Sequence, residues 1–382
     1  MKVTSARYQP GTGWLDPLPR NDSPQTLVLA FADPAVSESD PVWTELSETY
    51  SASVLCGCST SGQFRGTSIC DGVVEVTVVE FDHTGLAAAA ATVEAGSSSR
   101  RAGAQIGAQL GGAQLPGAEL RGVFVLSDGL AVNGSELVAG LLTELGPEVV
   151  VTGGLAGDGN RFERTWVVDG GRVRSNRVIG IGLYGGAVSI RAGRCGGWSS
   201  FGPPREVTRA EGNVLYELDG EPALDLYRRY LGGLAAQLPA SGLLMPLSIR
   251  SGGQCDSVVR TLLAIDEDAR SMTFAGDVPV GSATQLMRAG IDDLIEGSAM
   301  AAELSLVGQD TGNPGLAIAV SCVGRRLVLS ERADEELYAA DAKLPRHIPL
   351  TGFYSYGELA PGHSGSCELH NQTMTITTII ER

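Results

Sequence analysis

Apolar positions along the chain fall into two patterns, nearly unbroken runs that read as strands and stripes spaced three or four residues apart that read as helices. Their order recurs three times: strand, amphipathic helix, strand, a Gly-containing polar corner, further strand. In the first copy Leu27–Phe31 is an apolar run, and Val42, Leu46 and Tyr50 stripe a helix over Pro41–Tyr50. Val54–Cys56 then enters the corner Gly57–Gln63, and Val73–Phe81 resumes as strand. The second copy has Val123–Leu126, a helix over Gly134–Leu145 capped by Asn133, and Val149–Val151. Its corner is Thr152–Gly159, with strands near Thr165–Val168 and Val178–Tyr184. The third has Leu316–Val320, a helix over Asp334–Lys343, Ile348–Thr351, the corner Gly352–Glu358, and Met374–Ile380.

Strands alternating with helices, with few polar positions inside the strands, predict an α/β or layered α+β fold whose sheets are covered on both faces. Further helices are expected over Arg100–Leu110, Pro222–Leu231 and Ser282–Leu304, and Asn160–Trp166 reads as strand. Two prolines in Phe201–Pro204 mark the best domain boundary. The expected division is an N-terminal extension over 1–26, one domain over 27–204 and a second over 205–382, tightly associated because no low-complexity linker separates them.

Composition narrows the chemistry. The 28 basic residues against 44 acidic ones give a net charge of −16 with no basic block, so nucleic acid and anionic membrane are poor partners. Only Lys2 and Lys343 are lysines and neither sits in a Gly-rich loop, which removes P-loop chemistry and disfavours a Schiff base. The N-terminal stretch has no apolar signal core, and the Ala-rich run Leu86–Val93 is far too short to span a bilayer. A cytoplasmic protein without membrane insertion is expected. The 7 cysteines are odd in number and without framework spacing, as free thiols in a reducing compartment would be.

The three corners, with the strand ends Asp33–Pro34, Ser127–Gly129 and Ser321–Arg325, are expected to gather around one polar hollow. Gly154–Gly159 is not a dinucleotide corner, because its glycine order is wrong and no helix follows. Neither Ser59 nor Ser364 sits in a complete G-x-S-x-G turn, and any triad must draw on His83, His347, His363 or His370. His363, Cys367 and His370 lack the fourth ligand and the paired spacing of structural zinc. No C-x-x-C-H occurs, so only non-covalent haem, through one axial His or Cys, stays open. Cys56 and Cys58 at a strand end read as buried small hydrophobes, with redox sensing as the lesser alternative.

Five segments in order, Gly57–Gly62, Gly153–Asp158, Ser321–Arg325, Gly352–Glu358 and His370–Thr373, make the chain resemble FIST-domain proteins over roughly Leu27 to the C-terminus. The resemblance implies a sensory module with N- and C-terminal FIST halves, binding small ligands such as amino acids and linked in bacteria to histidine kinases. One branch is similar to haem-dependent nitric-oxide sensors, for which His370 or His363 would be the axial ligand here. No kinase, receiver or F-box segment is read, so a separate signalling partner is expected.

The residues themselves suggest roles. Arg325 can pair with a ligand carboxylate, and Glu358 or Asp158 can receive an ammonium group. Tyr356 offers an aromatic face with a hydroxyl tip, and Asn371 both donates and accepts. Cys58, Ser59, Thr60, Gly154, Cys322 and His370 complete the expected ligand-binding set, with no catalytic residue assigned. The competing reading makes Arg325, Glu358 and Asn371 a buried polar network that ties the corners together. A hydrolase using a Ser or Cys corner and a purely structural interaction protein are the other rivals.

Overall fold

A computed structural model describes residues 1–93, 98–113, 115, 118–250, 257–362 and 364–382. The three copies are three structural units built alike. In each, a central strand pairs in parallel with the next strand and antiparallel with the closing one. Thr26–Ala32 thus lies between Val54–Ser59 and Val74–Glu80, Leu120–Ser127 between Val150–Leu155 and Arg177–Tyr184, and Gly315–Cys322 between Leu350–Ser355 and Met374–Glu381. A leading strand, Lys2–Gln9, Gly85–Thr92 or Val188–Cys195, pairs outside each closing strand.

The polar corners do not stay with their own sheets. Each leads into a hairpin that adds to a different unit's sheet. Gln63–Arg65 of unit 1 pairs with Leu350–Ser355 of unit 3, Val167–Asp169 of unit 2 with Val54–Ser59 of unit 1, and Gly357–Pro361 of unit 3 with Val150–Leu155 of unit 2. This cyclic exchange interlocks the three sheets, and their inner faces share one core that includes Phe31, Cys58, Phe124, Ile181, Ile318 and Phe353.

Helices cover the outer faces, which is why the strands are apolar on both sides. On unit 1, α1 (Pro41–Thr49) packs Trp43 and Leu46 with Val28 and Val76. On unit 2, α2 (Ser99–Gly111) and α3 (Gly134–Glu144) bury Ile106 and Leu141 with Val123 and Val125. The two helices approach so closely that a Cβ at Gly140 would stand 2.0 Å from the Arg100 carbonyl oxygen. Asn133 caps α3 as expected, its Oδ1 accepting from the backbone N–H of Ser135 at 3.0 Å and Glu136 at 3.2 Å.

Between the leading strand and the first helix of unit 3 the chain inserts a further sheet, from Trp198 to Ala289, with its own core. There α4 (Ala223–Leu231) packs Leu224 and Tyr227 with Leu262 and Phe274. Unit 3 resumes with α5 (Ile291–Leu306), α6 (Val323–Leu329) and α7 (Ala333–Asp341), of which α5 and α7 cover its sheet. The fold is therefore α/β, as the alternation predicts.

Three local expectations change. Ser282–Leu304 is not one helix: Ala283–Ala289 is a strand held between Trp198–Phe201 and Leu247–Arg250, and the helix starts only after Gly290. Tertiary pairing outweighs the helical stripe there. Phe201–Pro204 lies within the long strand Trp198–Glu211, where the register shift between Phe201 and Arg205 carries the two prolines past the ladder. Asn160–Trp166 is a loop, because the Asp158 carboxylate draws the N–H groups of Phe162, Glu163 and Arg164 into a turn at 3.0, 2.9 and 2.9 Å. Cys56, Cys58, Cys70, Cys195, Cys322 and Cys367 are free, while Cys255 lies outside the described residues. Among the described residues no helix is long and apolar enough to cross a membrane.

Candidate functional site

The corners meet, and they meet closed. Backbone bonds run around the ring of units: Ser61 N–H to Tyr354 at 2.8 Å, Gly157 N–H to Ser59 at 3.0 Å and Tyr356 N–H to Leu155 at 3.2 Å. A Cβ at Gly157 would stand 2.2 Å from Ser61 Oγ, so the glycine is needed for this approach.

The expected site residues are engaged with protein. Ser59 Oγ accepts from Trp166 N–H at 3.1 Å, and Thr60 Oγ1 donates to Gln63 Oε1 at 2.7 Å. Tyr356 donates its hydroxyl proton to Asp158 and stacks on Phe162 with ring centroids 4.9 Å apart. Glu358 accepts from Ser355 Oγ at 2.6 Å and from Thr373 N–H and Oγ1 at 3.1 and 2.9 Å. Burial nevertheless pushes its carboxyl up to about 8, against the opposing pull of those bonds and of Arg325.

Arg325 is fully buried and holds Glu336, not an open space. Its Nε and Nη2 lie 3.0 and 2.8 Å from Oε2, Nη2 also donates to the Leu294 carbonyl at 2.7 Å, and Nη1 donates to Gly196. Cys58 and Cys322 are buried, and burial raises both thiols well above their ordinary range. Gly154 lies in the strand Val150–Leu155, where a Cβ would press on Val320 at 2.6 Å. His370 Nε2 lies 3.1 Å from the Ala360 carbonyl oxygen. His363 lies outside the described residues. Among the described residues no three His, Cys, Asp or Glu side chains gather as a metal-ligand set.

Asn371 leads away from the ring. Its Nδ2 donates to the Tyr356 carbonyl at 3.2 Å, and its Oδ1 accepts from Thr261 N–H of the inserted sheet at 3.3 Å. Next to it Gln372 Nε2 donates to the Leu243 carbonyl at 3.0 Å, so this end of the third hairpin is where the inserted sheet docks.

Beside that docking point a cleft of about 350 Å³ opens between α3, the inserted sheet and the hairpin strand Cys367–His370. Val138, Leu142, Ile249 and Val258 supply an apolar wall, and Ser135, Arg260, Asp277 and Glu368 supply polar groups. This mixture suits an amphipathic small molecule. Arg260 is only 7 % exposed. Its Nε donates to the Asp277 carbonyl at 3.1 Å, and its Nη1 to Val259 and Leu369 carbonyls at 3.2 and 3.1 Å. Nη2 has no protein acceptor among the described residues. Burial lowers the Arg260 guanidinium to about 10, although Asp277 and Glu368 pull it upward.

Asp277 is held in place by α3, since Asn133 Nδ2 donates to its Oδ1 at 2.8 Å. None of Ser135, Arg260, Asp277 or Glu368 is in the set expected from sequence. One signal was present: Arg260 is the one charge in the run Val258–Leu263, whose other residues are Thr261 and four aliphatics, and a lone charge in such a run marks a buried cation.

Two family models match the chain in order. The FIST N domain model matches residues 26–221 and the FIST C domain model residues 223–361. Their junction falls inside the inserted sheet, so the two family halves cut across the three structural units. An uncharacterized protein of Mycobacterium bovis is 28% identical over 246 residues, 62% of this chain and 61% of that protein. One of Mycobacterium tuberculosis is 27% identical over 270 residues, 67% of each chain, and one of Methanocaldococcus jannaschii is 27% identical over 250 residues, 57% of this chain and 47% of that protein. The match to the Mycobacterium bovis relative thus spans about three fifths of its length. With both family models in order along it, the chain belongs to the FIST family, whose members are generally signal-transduction sensors.

Proposed function

We propose that this chain is a sensor that takes a small zwitterion of the amino-acid class in the cleft beneath the inserted sheet and signals its occupancy to a separate protein. The observation that carries the reading is Arg260, a buried guanidinium that lines the cleft and whose Nη2 has no protein acceptor among the described residues. A ligand carboxylate would complete its hydrogen bonding. The Asp277 and Glu368 carboxylates suit an ammonium group, and the Val138, Leu142 and Ile249 wall suits an aliphatic side chain.

Signalling follows from where the cleft lies. Arg260 already holds the Leu369 carbonyl of the third hairpin, and Thr261 beside it holds Asn371. A ligand that binds better in one position of the inserted sheet than in another shifts the balance between them. The surface so altered is what a partner would read, and a histidine kinase is the class of partner that the family implies.

Thermal melting against the common amino acids tests the proposal. At a hundredfold excess over Kd a ligand stabilises by about 2.7 kcal/mol, a rise of several degrees that Arg260→Met should abolish. A flat response across the panel would sink it.

A further inference from the structure

The cyclic exchange of hairpins creates three equivalent seams, each between a donated hairpin and the closing strand of its own unit. Register fixes the equivalence. Phe64, Val168 and Leu359 sit opposite Gly352, Gly57 and Gly153, and Gly72, Asn176 and Gln372 all turn with positive φ before the closing strands. Equivalent positions can therefore be read across the seams.

In the first seam cations and anions balance. Arg65 pairs with Asp16 at 2.8 Å and reaches Glu75 at 3.8 Å, while Arg7 pairs with Glu75. The second seam is different: a cavity of about 610 Å³ holds Arg172, Arg174 and Arg177 against a single carboxylate, Asp169. Arg177 takes that carboxylate with Nε at 3.1 Å and Nη2 at 2.7 Å, and turns Nη1 to Thr92 Oγ1 at 2.8 Å. Arg172 and Arg174 have no acidic partner among the described residues.

Two positions apart on one strand, Arg172 and Arg174 project from the same face of the sheet. The fold does not require them. The equivalent pairs are Ser68 with Cys70 and Glu368 with His370, as the hairpin registers show. Edge strands often carry charge to prevent pairing with other chains, yet the edge at Ser68 and Cys70 carries none. In a chain of net charge −16, two guanidinium groups that line a cavity without an acidic partner among the described residues are a local exception to the overall field.

We propose that the seam lined by Arg172, Arg174 and Arg177 is an anion site, separate from the cleft at Arg260, that takes a small molecule bearing a phosphate or diphosphate group. The planar forks of Arg172 and Arg174 match two phosphate oxygens. Arg177 stays on Asp169 and forms the fixed wall. The cavity volume lies within the usual range for metabolite pockets.

Calorimetric titration of the full chain with inorganic pyrophosphate at constant ionic strength is the test. Saturable binding that weakens at least tenfold in the Arg172→Gln/Arg174→Gln variant is expected. The Arg228→Gln/Arg229→Gln variant, which removes the same charge from α4, should bind as the parent does. Both positions in the seam are exposed, and an unchanged melting temperature without pyrophosphate would show that the variant folds. The proposal is overturned by absence of saturable binding, by full affinity in the seam variant, or by equal weakening in both variants, which would mean diffuse charge attraction.

Discussion

The buried polar network around Arg325 and the cleft at Arg260 differ in how their cations are satisfied. Arg325 has a carboxylate on two nitrogens and carbonyl or hydroxyl acceptors besides. Arg260 has three carbonyl acceptors and, among the described residues, no carboxylate in hydrogen-bond contact and no acceptor for Nη2. The closed network around Arg325 ties α5, α6 and α7 of unit 3 to one another. An unfinished one leaves an affinity for something outside the protein.

The sharpest way to break this contrast is to remove the best-satisfied ion. Arg325→Ala strips Glu336 of its partner at full burial, and loss of one member of such a pair costs about 3–5 kcal/mol. The urea midpoint should fall accordingly; a loss below about 1 kcal/mol would show that this buried pair is not what holds the helices of unit 3 together. Next in size is Tyr356→Phe, which removes a hydroxyl shared between Asp158 and the Gly159 carbonyl. Hydrogen bonds to charged groups are worth about 1.5–3 kcal/mol. Three backbone donors still hold Asp158 in the variant, so the lower end of that range is expected.

Glu358 sharpens the contrast through pH. Its folded carboxyl is raised from an ordinary 4.5 to about 8, so between those values the native state holds a proton that the unfolded state has released. Stability attributable to this group is complete below about pH 4.5 and declines as pH rises toward 8, by up to about 1.4 kcal/mol per pH unit. Glu358→Gln should flatten that part of the stability profile. An unchanged slope would mean that the group titrates elsewhere.

How far the sequence exposed these features depends on what each required. The three units were legible because their strands are covered on both faces, so that Leu27–Phe31, Val123–Leu126 and Leu316–Val320 appear as unbroken apolar runs. Gathering of the corners was also legible, from three glycine-bearing turns in equivalent places. Hairpin exchange was not, because a strand that pairs with a foreign sheet has the same alternation as one that pairs with its own. The Arg260 cleft was hidden for a related reason. Its polar groups come from residues 135, 260, 277 and 368, brought together only by docking of the inserted sheet, and no local motif encodes that docking.

The smallest stability effect and the most specific functional one should coincide at Arg260. Arg260→Met keeps much of the side-chain volume and removes a desolvated cation. That gain offsets the three carbonyl contacts left without a donor. The net change should stay below that of Arg325→Ala, where a buried carboxylate loses its cation. If the cleft is a ligand site, the same variant loses the thermal shift given by any amino acid that stabilises the parent, while retaining its unliganded melting temperature. If Arg260 instead serves only to dock the inserted sheet, the result reverses: melting drops without ligand, and protease cuts within Trp198–Ala289 become faster than in the parent. Melting with and without ligand therefore separates a residue that recognises from one that merely holds.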